Sequence, residues 1–468
     1  MKKWHVTCCI IVTHLLSAQS PDCNCKTVFN QLTHKIETEY PGFSAKTKDT
    51  AAYRLFKQKL SEETVKANSA PCPQLLKTYT DFFKDPHLWA GANGVPFTAT
   101  STISSVGTIN LDITDFKNKI GRTKDAYEGI WSNGQYTFGI KKTNANEYTG
   151  FIIDSKYTEW KPGDIKFKLY TTGAFEYYLL DRTLKTGDFK LIDKSILHLE
   201  DVSVALVKQT PFPELNKEQL ETRLKGLDGF YFKKVTTKTS ILKLPSFEYQ
   251  YLKTIDSLLE QNKSLLEESE NLIIDLRGNP GGTTDAYQKL LPYISGKSIR
   301  HTGTEFLATQ TYIDNLEAYK KTLAPNTPVA EIDNYIKKLK DNLGHFVTRD
   351  EIGNVGDYTE QITVASKSPR QIVILANKLT GSSAEYFLFI AKQSKKVKVL
   401  GKPSYGALDY GNAYLSHLEC SGYQVSLPTY RALRLPDYPI DNIGIQPDIY
   451  LDKSVQDWIS FAIDYLEN

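Results

Sequence analysis

Two short apolar runs, each ending in turn residues, stand out in the hydrophobic pattern of the chain. Residues 272–276 precede the turn 277–282, and residues 371–376 precede the turn 377–381. Near-continuous apolar runs of this length are typical of strands in a parallel sheet covered on both faces. An amphipathic stretch at 386–393, which fits a helix, follows the second turn. The pattern therefore predicts an α/β core in which two strands each lead into an exposed turn.

The first turn ends in two glycines, Gly281 and Gly282. Because they lack a Cβ, their peptide N–H groups can approach a ligand atom closely and adopt conformations closed to other residues. Closely placed N–H donors are what an oxyanion site requires. The alternative is an ordinary tight connection between a strand and a helix, which uses the same turn residues.

The second turn leads into Ser382-Ser383-Ala384-Glu385 at the start of the predicted helix. A serine at a helix start lies among free N–H groups and near the positive end of the helix dipole, which favour a developing anion. This is a suitable place for a nucleophile. Ser382 and Glu385 also have the spacing of a capping box, which requires no catalysis.

The run LIIDLRGNPGG, followed by a strand and TGSSAE, resembles the tail-specific, or C-terminal-processing, proteases of serine peptidase family S41. That family includes the tricorn core protease and the interphotoreceptor retinoid-binding modules. The resemblance implies a crotonase/ClpP-like α/β core over residues 227–468. By the family motif the nucleophile falls on Ser382, with Gly281 or Gly282 and the amide of Ser383 lining the oxyanion hole.

The same resemblance draws attention to His87, which follows Pro86 after a predicted helix at 73–83. A single histidine beside apolar residues usually serves packing. The non-lysine, tricorn-like branch of the family, however, commonly carries an Asp-x-His element here that supplies the general base. In the other branch the base is a lysine, and Ala407 occupies that position in this chain. We therefore expect His87 to be the base, with Lys402 playing no such part.

A third catalytic role is expected for Asp441. The segment 438–449 resembles the closing G-[IV]-x-P-D element of the family, whose members without the lysine often have Glu at the position of Asp441. Asp is one methylene shorter, and a plain loop carboxylate is the alternative. Asp448 is expected to be structural, fixing the turn after Pro447.

The rest of the pattern predicts further units. Residues 20–95 favour an N-terminal helical segment with helices at 26–40, 50–63 and 73–83. Repeated short strands at 120–213 predict an inserted antiparallel β domain, a barrel or a sandwich, where lysine-branch relatives usually have a PDZ domain. A helix is predicted at 247–266, and a helical insertion at 305–345, broken by Pro325 and Pro328. A length of 468 residues agrees with several domains.

Residues 1–19 have the charged start and apolar centre of a signal peptide. We expect an exported protein, periplasmic or extracellular. Four cysteines remain after such a signal, an even number that suits an oxidising compartment: Cys23, Cys25, Cys72 and Cys420. At least one of the first two is expected to pair with Cys72. A metal site is disfavoured because the C-x-C spacing has no nearby histidine.

Composition narrows the function further. The net charge is +3 without a long basic block, which argues against nucleic acid as a partner, and no segment after the signal is apolar enough to span a membrane. The prediction is an exported serine endopeptidase acting on protein or peptide substrates, with no cofactor or metal. Two alternatives remain. One is a catalytically inactive peptide- or ligand-binding protein on the same fold. The other is an acyl-CoA enzyme of the crotonase class, which export and the serine both oppose.

Overall fold

The structure is a computed structural model that describes residues 23–66, 71–97, 106–180, 182–349, 356–420, 422–455 and 457–468. The signal peptide predicted at 1–19 lies outside these residues. In the described part no helix is both long enough and apolar enough to cross a membrane.

The N-terminal part is helical, as the sequence predicted. Its elements are α1 (Cys25–Glu39), α2 (Phe43–Lys46), α3 (Thr50–Lys66), α4 (Cys72–Asp81), β1 (Trp89–Ala92), β2 (Val95–Pro96) and α5 (Ile113–Ile120). Helix α1 buries one face, which includes Phe29, Leu32 and Ile36. Cys25 forms a disulfide with Cys72, which confirms the expected use of Cys72 and joins α1 to α4.

Eight strands then form a closed barrel in which all neighbouring strands are antiparallel. They are β3 (Gly129–Ser132), β4 (Tyr136–Asn144), β5 (Glu147–Ser155), β6 (Ile165–Tyr170), β7 (Ala174–Tyr178), β8 (Leu184–Ile192), β9 (Ile196–Leu199) and β10 (Val204–Thr210). Alternating inward residues such as Trp131, Phe138 and Phe167 fill the interior. Of the two β architectures expected for 120–213, the structure has the barrel.

The remaining elements belong to the C-terminal part. They are α6 (Lys217–Asp228), β11 (Tyr231–Lys234), β12 (Thr239–Lys243), α7 (Leu252–Gln261), α8 (Lys263–Glu268), β13 (Asn271–Asp275), α9 (Leu291–Ile294), β14 (Ser298–His301), β15 (Thr304–Leu307), α10 (Gln310–Thr322), α11 (Ala330–Asp341), β16 (Phe346–Val347), β17 (Tyr358–Gln361), β18 (Gln371–Ala376), α12 (Ser383–Ala391), β19 (Val397–Gly401), β20 (Tyr410–Gly411), β21 (Tyr414–His417), β22 (Gln424–Leu427), β23 (Tyr430–Ala432), β24 (Ile449–Tyr450) and α13 (Trp458–Glu467).

A six-stranded sheet forms the centre of this part, in the order β11-β12-β13-β18-β19-β24. The last five strands are parallel and only β11 is antiparallel to its neighbour. The two predicted apolar runs are β13 and β18, and they are adjacent. All five residues of β13 are buried because apolar side chains cover both faces of the sheet. The predicted parallel α/β core is therefore present.

Of two further helical predictions, one agrees with the structure and the other differs from it in detail. The insertion at 305–345 does contain helices, α10 and α11, on either side of the two prolines. The helix predicted at 247–266 is instead a short 3-10 turn followed by α7 and α8, with a break at Asn262.

The N-terminal helices are fixed to the core in two ways. Strand β1 pairs antiparallel with β22, which places it in the sheet β2-β1-β22-β21. The disulfide between Cys23 and Cys420 joins residues 397 positions apart. The segment that carries His87, between α4 and β1, is thereby attached to the C-terminal part of the chain.

Candidate active site

The turns that follow β13 and β18 leave the same edge of the sheet, since these strands are parallel neighbours. Three hydrogen bonds join the turns: Thr380 Oγ1 to Leu276 O at 2.9 Å, Gly278 N to Asn377 Oδ1 at 3.1 Å, and Gly381 N to Asn279 O at 2.9 Å. The glycine turn and the serine turn therefore form one braced unit.

Ser382 occupies the sharp corner between β18 and α12. It is half-buried and has φ 51° and ψ −120°, a region that residues other than glycine rarely adopt. Such a conformation costs on the order of 1–3 kcal/mol and persists only where the surroundings impose it. The corner places Ser382 at the N-terminus of α12, where free N–H groups and the helix dipole favour negative charge.

Gly281 lies directly against this corner. Its φ is +101°, and a Cβ built there would lie 2.7 Å from Gly381 O, 2.8 Å from Ser382 Cβ and 2.9 Å from Ser383 N. Only glycine fits this position without displacing the corner. The N–H of Gly281 is already donated to Asn279 Oδ1 at 2.9 Å. Of the two glycines predicted as oxyanion donors, Gly281 thus makes room for the corner while its amide is engaged elsewhere.

The amides of Gly282 and Ser383 differ from that of Gly281. Neither N–H donates a hydrogen bond within the part of the chain that the structure describes. Gly282 is held by a bridge to Phe247, in which Phe247 O accepts the amide of Thr283 at 2.8 Å. Gly282 directly follows Gly281 in the chain, and Ser383 directly follows Ser382. Both free amides therefore lie next to the residues of the Gly281–Ser382 contact.

Glu385 is a fully buried carboxylate that accepts four hydrogen bonds. The donors are Ser382 N at 2.9 Å, Ser404 Oγ at 2.5 Å, Gly406 N at 2.6 Å and Ala407 N at 2.8 Å. Glu385 therefore caps the Ser382 amide, as the capping-box spacing in the sequence allows. The same carboxylate fixes the segment 404–407, which includes the family's lysine position, against the corner.

Asp441 is the next carboxylate along this segment. Its Oδ1 accepts the amides of Leu408 and Asp409, each at 2.8 Å. Its Oδ2 is buried and has no hydrogen-bond partner among the described residues. Burial, followed by the negative charges of Asp85 and Asp409, raises the pKa of Asp441 to about 8.

His87 lies on the connection after α4, and Asp85 fixes its backbone. Asp85 Oδ1 accepts the amide of His87 at 2.8 Å, and Asp85 Oδ2 accepts the Tyr40 hydroxyl at 2.8 Å. Burial raises the pKa of Asp85, although its interactions with His87 and Tyr40 oppose that rise. The Nδ1 atom of His87 is buried and has no partner among the described residues.

One hydrogen bond ties the segment of His87 to that of Asp441. Asn442 Nδ2 donates to Lys84 O at 2.6 Å. Contacts thus run from the serine corner through Glu385 and the segment 404–409 to Asp441, and from there to the His87 connection. The Lys402 side chain instead contacts the barrel, where its Nζ lies 3.0 Å from Asp188 Oδ2.

Three residues that organise these segments were not assigned a role from the sequence: Tyr40, Asp85 and Ser404. Asp85 was visible as the first residue of the Asp-x-His element. The other two have no local signal, since their partners lie 45 and 19 positions away.

Residues 238–451 match the sequence model of peptidase family S41. This segment contains the glycine turn, the serine corner and Asp441. The match supports a serine-type peptidase of that family. His87 lies outside the matched segment, on the N-terminal part that the disulfides and β1 attach to the core. No curated protein matches the chain.

Solved structures resemble the chain over nearly its whole length. A point mutant of CPAF is 12% identical with a TM-score of 0.50, covering 95% of this chain and 96% of the other. Mature CPAF has 12% identity, a TM-score of 0.49 and the same coverage. A structure described as a "putative peptidase from Parabacteroides merdae" has 12% identity, a TM-score of 0.45, and coverage of 95% of this chain and 97% of the other. At such identity the likeness to the first of these concerns the fold alone.

Proposed function

We propose that the chain is an exported serine endopeptidase that hydrolyses peptide bonds in protein or peptide substrates. The observation that carries the proposal is the strained corner at Ser382, which packs against Gly281 beside two free amides. Strain of this kind is retained where function needs it. Two disulfides suit an oxidising compartment.

In this mechanism Ser382 Oγ attacks the peptide carbonyl while His87 accepts its proton. A serine needs such a base because its free pKa leaves almost no alkoxide at neutral pH. The amides of Gly282 and Ser383 hold the negative oxygen of the tetrahedral intermediate, and each donor of this kind lowers the barrier by roughly 3 kcal/mol. His87 then gives the proton to the leaving amine as the C–N bond breaks. It next accepts a proton from the water that attacks the acyl ester, which releases the carboxylic acid and restores the Ser382 hydroxyl.

Asp441 is assigned the role of orienting His87. Two unpartnered buried atoms support the assignment: Nδ1 of His87 is a potential donor, and Oδ2 of Asp441 is a potential acceptor once this carboxyl group, whose pKa is raised to about 8, has lost its proton. They lie on segments joined by the hydrogen bond between Asn442 and Lys84. A histidine whose Nδ1–H donates to a carboxylate presents its Nε2 as the base, which is the tautomer that proton abstraction requires.

The test compares two pairs of variants in hydrolysis of a denatured protein substrate. Ser382→Ala and His87→Ala should each lower kcat by at least about a hundredfold, the usual contribution of a nucleophile's base. Their matched controls, Ser383→Ala and Lys402→Ala, should retain most of the activity. An active His87→Ala with an inactive Lys402→Ala would overturn the assignment of the base. A wild-type protein without any activity would favour the inactive binding protein.

A further inference from the structure

A cavity lies between the barrel and the core, and Ser382 does not line it. Its volume is about 860 Å³, within the range of ligand pockets. Four residues at or just after the ends of adjacent parallel strands line its core side: Lys243, Arg277, Asn377 and Lys402. The barrel covers them. In open α/β sheets, the carboxyl ends of the strands are where ligands bind.

Cations from both sides converge in this cavity. Glu200 of the barrel is shared by two of them, with its carboxylate 3.8 Å from Lys190 Nζ and 3.7 Å from Arg277 Nη1. Both separations exceed ordinary hydrogen-bond length. Lys402 extends from the core to Asp188 at 3.0 Å. Lys190 thus has Glu200 as its carboxylate neighbour, and Lys402 has Asp188. Because an ammonium group carries three donors, each lysine keeps donor positions that these carboxylates do not use.

Burial is the main cause that lowers the pKa of Lys190. Among its charged neighbours, Glu200 and Asp457 raise this pKa, whereas Arg277 and Lys402 lower it. An anion bound between Lys190 and Lys402 would offset the repulsion between them. Trp458 forms part of the wall, with its ring 6.0 Å from Lys190 Nζ and 5.6 Å from the Arg277 guanidinium carbon.

Asn377 supplies an independent indication of a ligand. It is 2% exposed, and its Oδ1 accepts the amides of Gly278 and Leu379, each at 3.1 Å. Its Nδ2 is buried and has no acceptor among the described residues. Leaving a buried donor unpaired costs roughly 1–3 kcal/mol. Asn377 therefore keeps an unpaired donor beside the cavity that it lines.

We propose that this cavity binds an organic anion through a carboxylate or phosphate group, held by Lys190, Lys402 and Asn377. The site is separate from the serine corner, so its existence does not depend on the proposed peptidase mechanism. The same chemistry is offered by a free small anion and by the C-terminal carboxylate of a peptide.

Binding is tested on the full mature protein by thermal shift and tryptophan fluorescence at constant ionic strength. The probes are inorganic phosphate, citrate, and one tripeptide with either a free or an amidated C-terminus. At least one of the first three should raise the Tm and change the fluorescence saturably, as expected for a ligand of the native state. Saturation by the free tripeptide but not by its amide assigns a peptide carboxylate, whereas saturation by phosphate or citrate alone assigns a small anion. The absence of saturable binding by all three would overturn the proposal.

Lysine substitutions distinguish a ligand-binding site from an interface in which the lysines only form ion pairs between the core and the barrel. Lys190→Met and, independently, Lys402→Met should each weaken binding at least about tenfold, the effect of losing one charge-assisted hydrogen bond. The control is Lys378→Met. Lys378 also bridges core and barrel, 3.3 Å from Asp201, but it does not line the cavity. Should Lys378→Met weaken binding as much as both lining variants, the proposal is wrong.

Discussion

Glu385 Oε2 accepts the amide of Ser382 at 2.9 Å, and the same oxygen accepts the amide of Ala407 at 2.8 Å. One carboxylate therefore both caps helix α12 and fixes the segment at Ala407 that leads to Asp441. The structural and functional interpretations of the Ser382-x-x-Glu385 pattern are compatible, because the cap holds the corner in which Ser382 is strained.

Replacing Glu385 by Gln should damage both stability and activity. The Gln amide nitrogen must face at least one of the N–H groups that the carboxylate now accepts, which leaves a buried donor unpaired. We expect Glu385→Gln to lower the free energy of unfolding by roughly 1–3 kcal/mol in urea denaturation, together with kcat. The exposed Glu218→Gln is the control. Unchanged stability of Glu385→Gln would show that the four hydrogen bonds do not form.

The glycine turn allows a closely matched comparison. At Gly281 a Cβ would collide with the serine corner, whereas at Gly278, with φ +81°, it would meet nothing within 4 Å. Both alanine variants carry backbone strain of roughly 1–2 kcal/mol. Only Gly281→Ala should also move Ser382, and a displacement of about 1 Å costs about a hundredfold in rate. Equal kcat/KM values for the two variants would contradict the close approach.

Asp441 makes stability depend on pH. Because its pKa is raised to about 8, the folded state retains a proton that the unfolded state loses near the ordinary aspartate value of 3.8. The stability that this group contributes is therefore full below about pH 4 and is lost as the pH rises through 8. In urea denaturation between pH 5 and pH 8.5, Asp441→Asn should lose less stability than the wild type, by roughly 4 kcal/mol.

The exposed Asp437→Asn provides the control for this comparison and should follow the wild type. Parallel pH profiles for the wild type and Asp441→Asn would mean that Asp441 is ionised in the folded protein throughout this range.

Local patterns predicted the central elements well. The run at 371–376 coincides with β18, and that at 272–276 differs from β13 by one residue. Such apolar runs identify strands because burial on both faces demands them and turn residues mark their ends. The start of α12 was visible for the same reason, since Ser382 and Glu385 form a recognisable helix start.

Contacts between distant segments could not be predicted in this way. The pairing of β1 with β22 and the disulfide from Cys23 to Cys420 bring the His87 connection to the core, yet neither leaves a periodic signal in the sequence. The four donors of Glu385 likewise come from two segments whose proximity depends on the finished fold. The break at Asn262 was missed because the surrounding residues favour a helix on both sides.

The central claim, that Ser382 is the activated nucleophile, is tested most directly with a fluorophosphonate probe. The purified mature protein is labelled, digested and mapped by mass spectrometry. The account predicts a single modified peptide with the label on Ser382, lost in Ser382→Ala and retained in Ser383→Ala. A label on Ser383, or equal labelling of both variants, would contradict it.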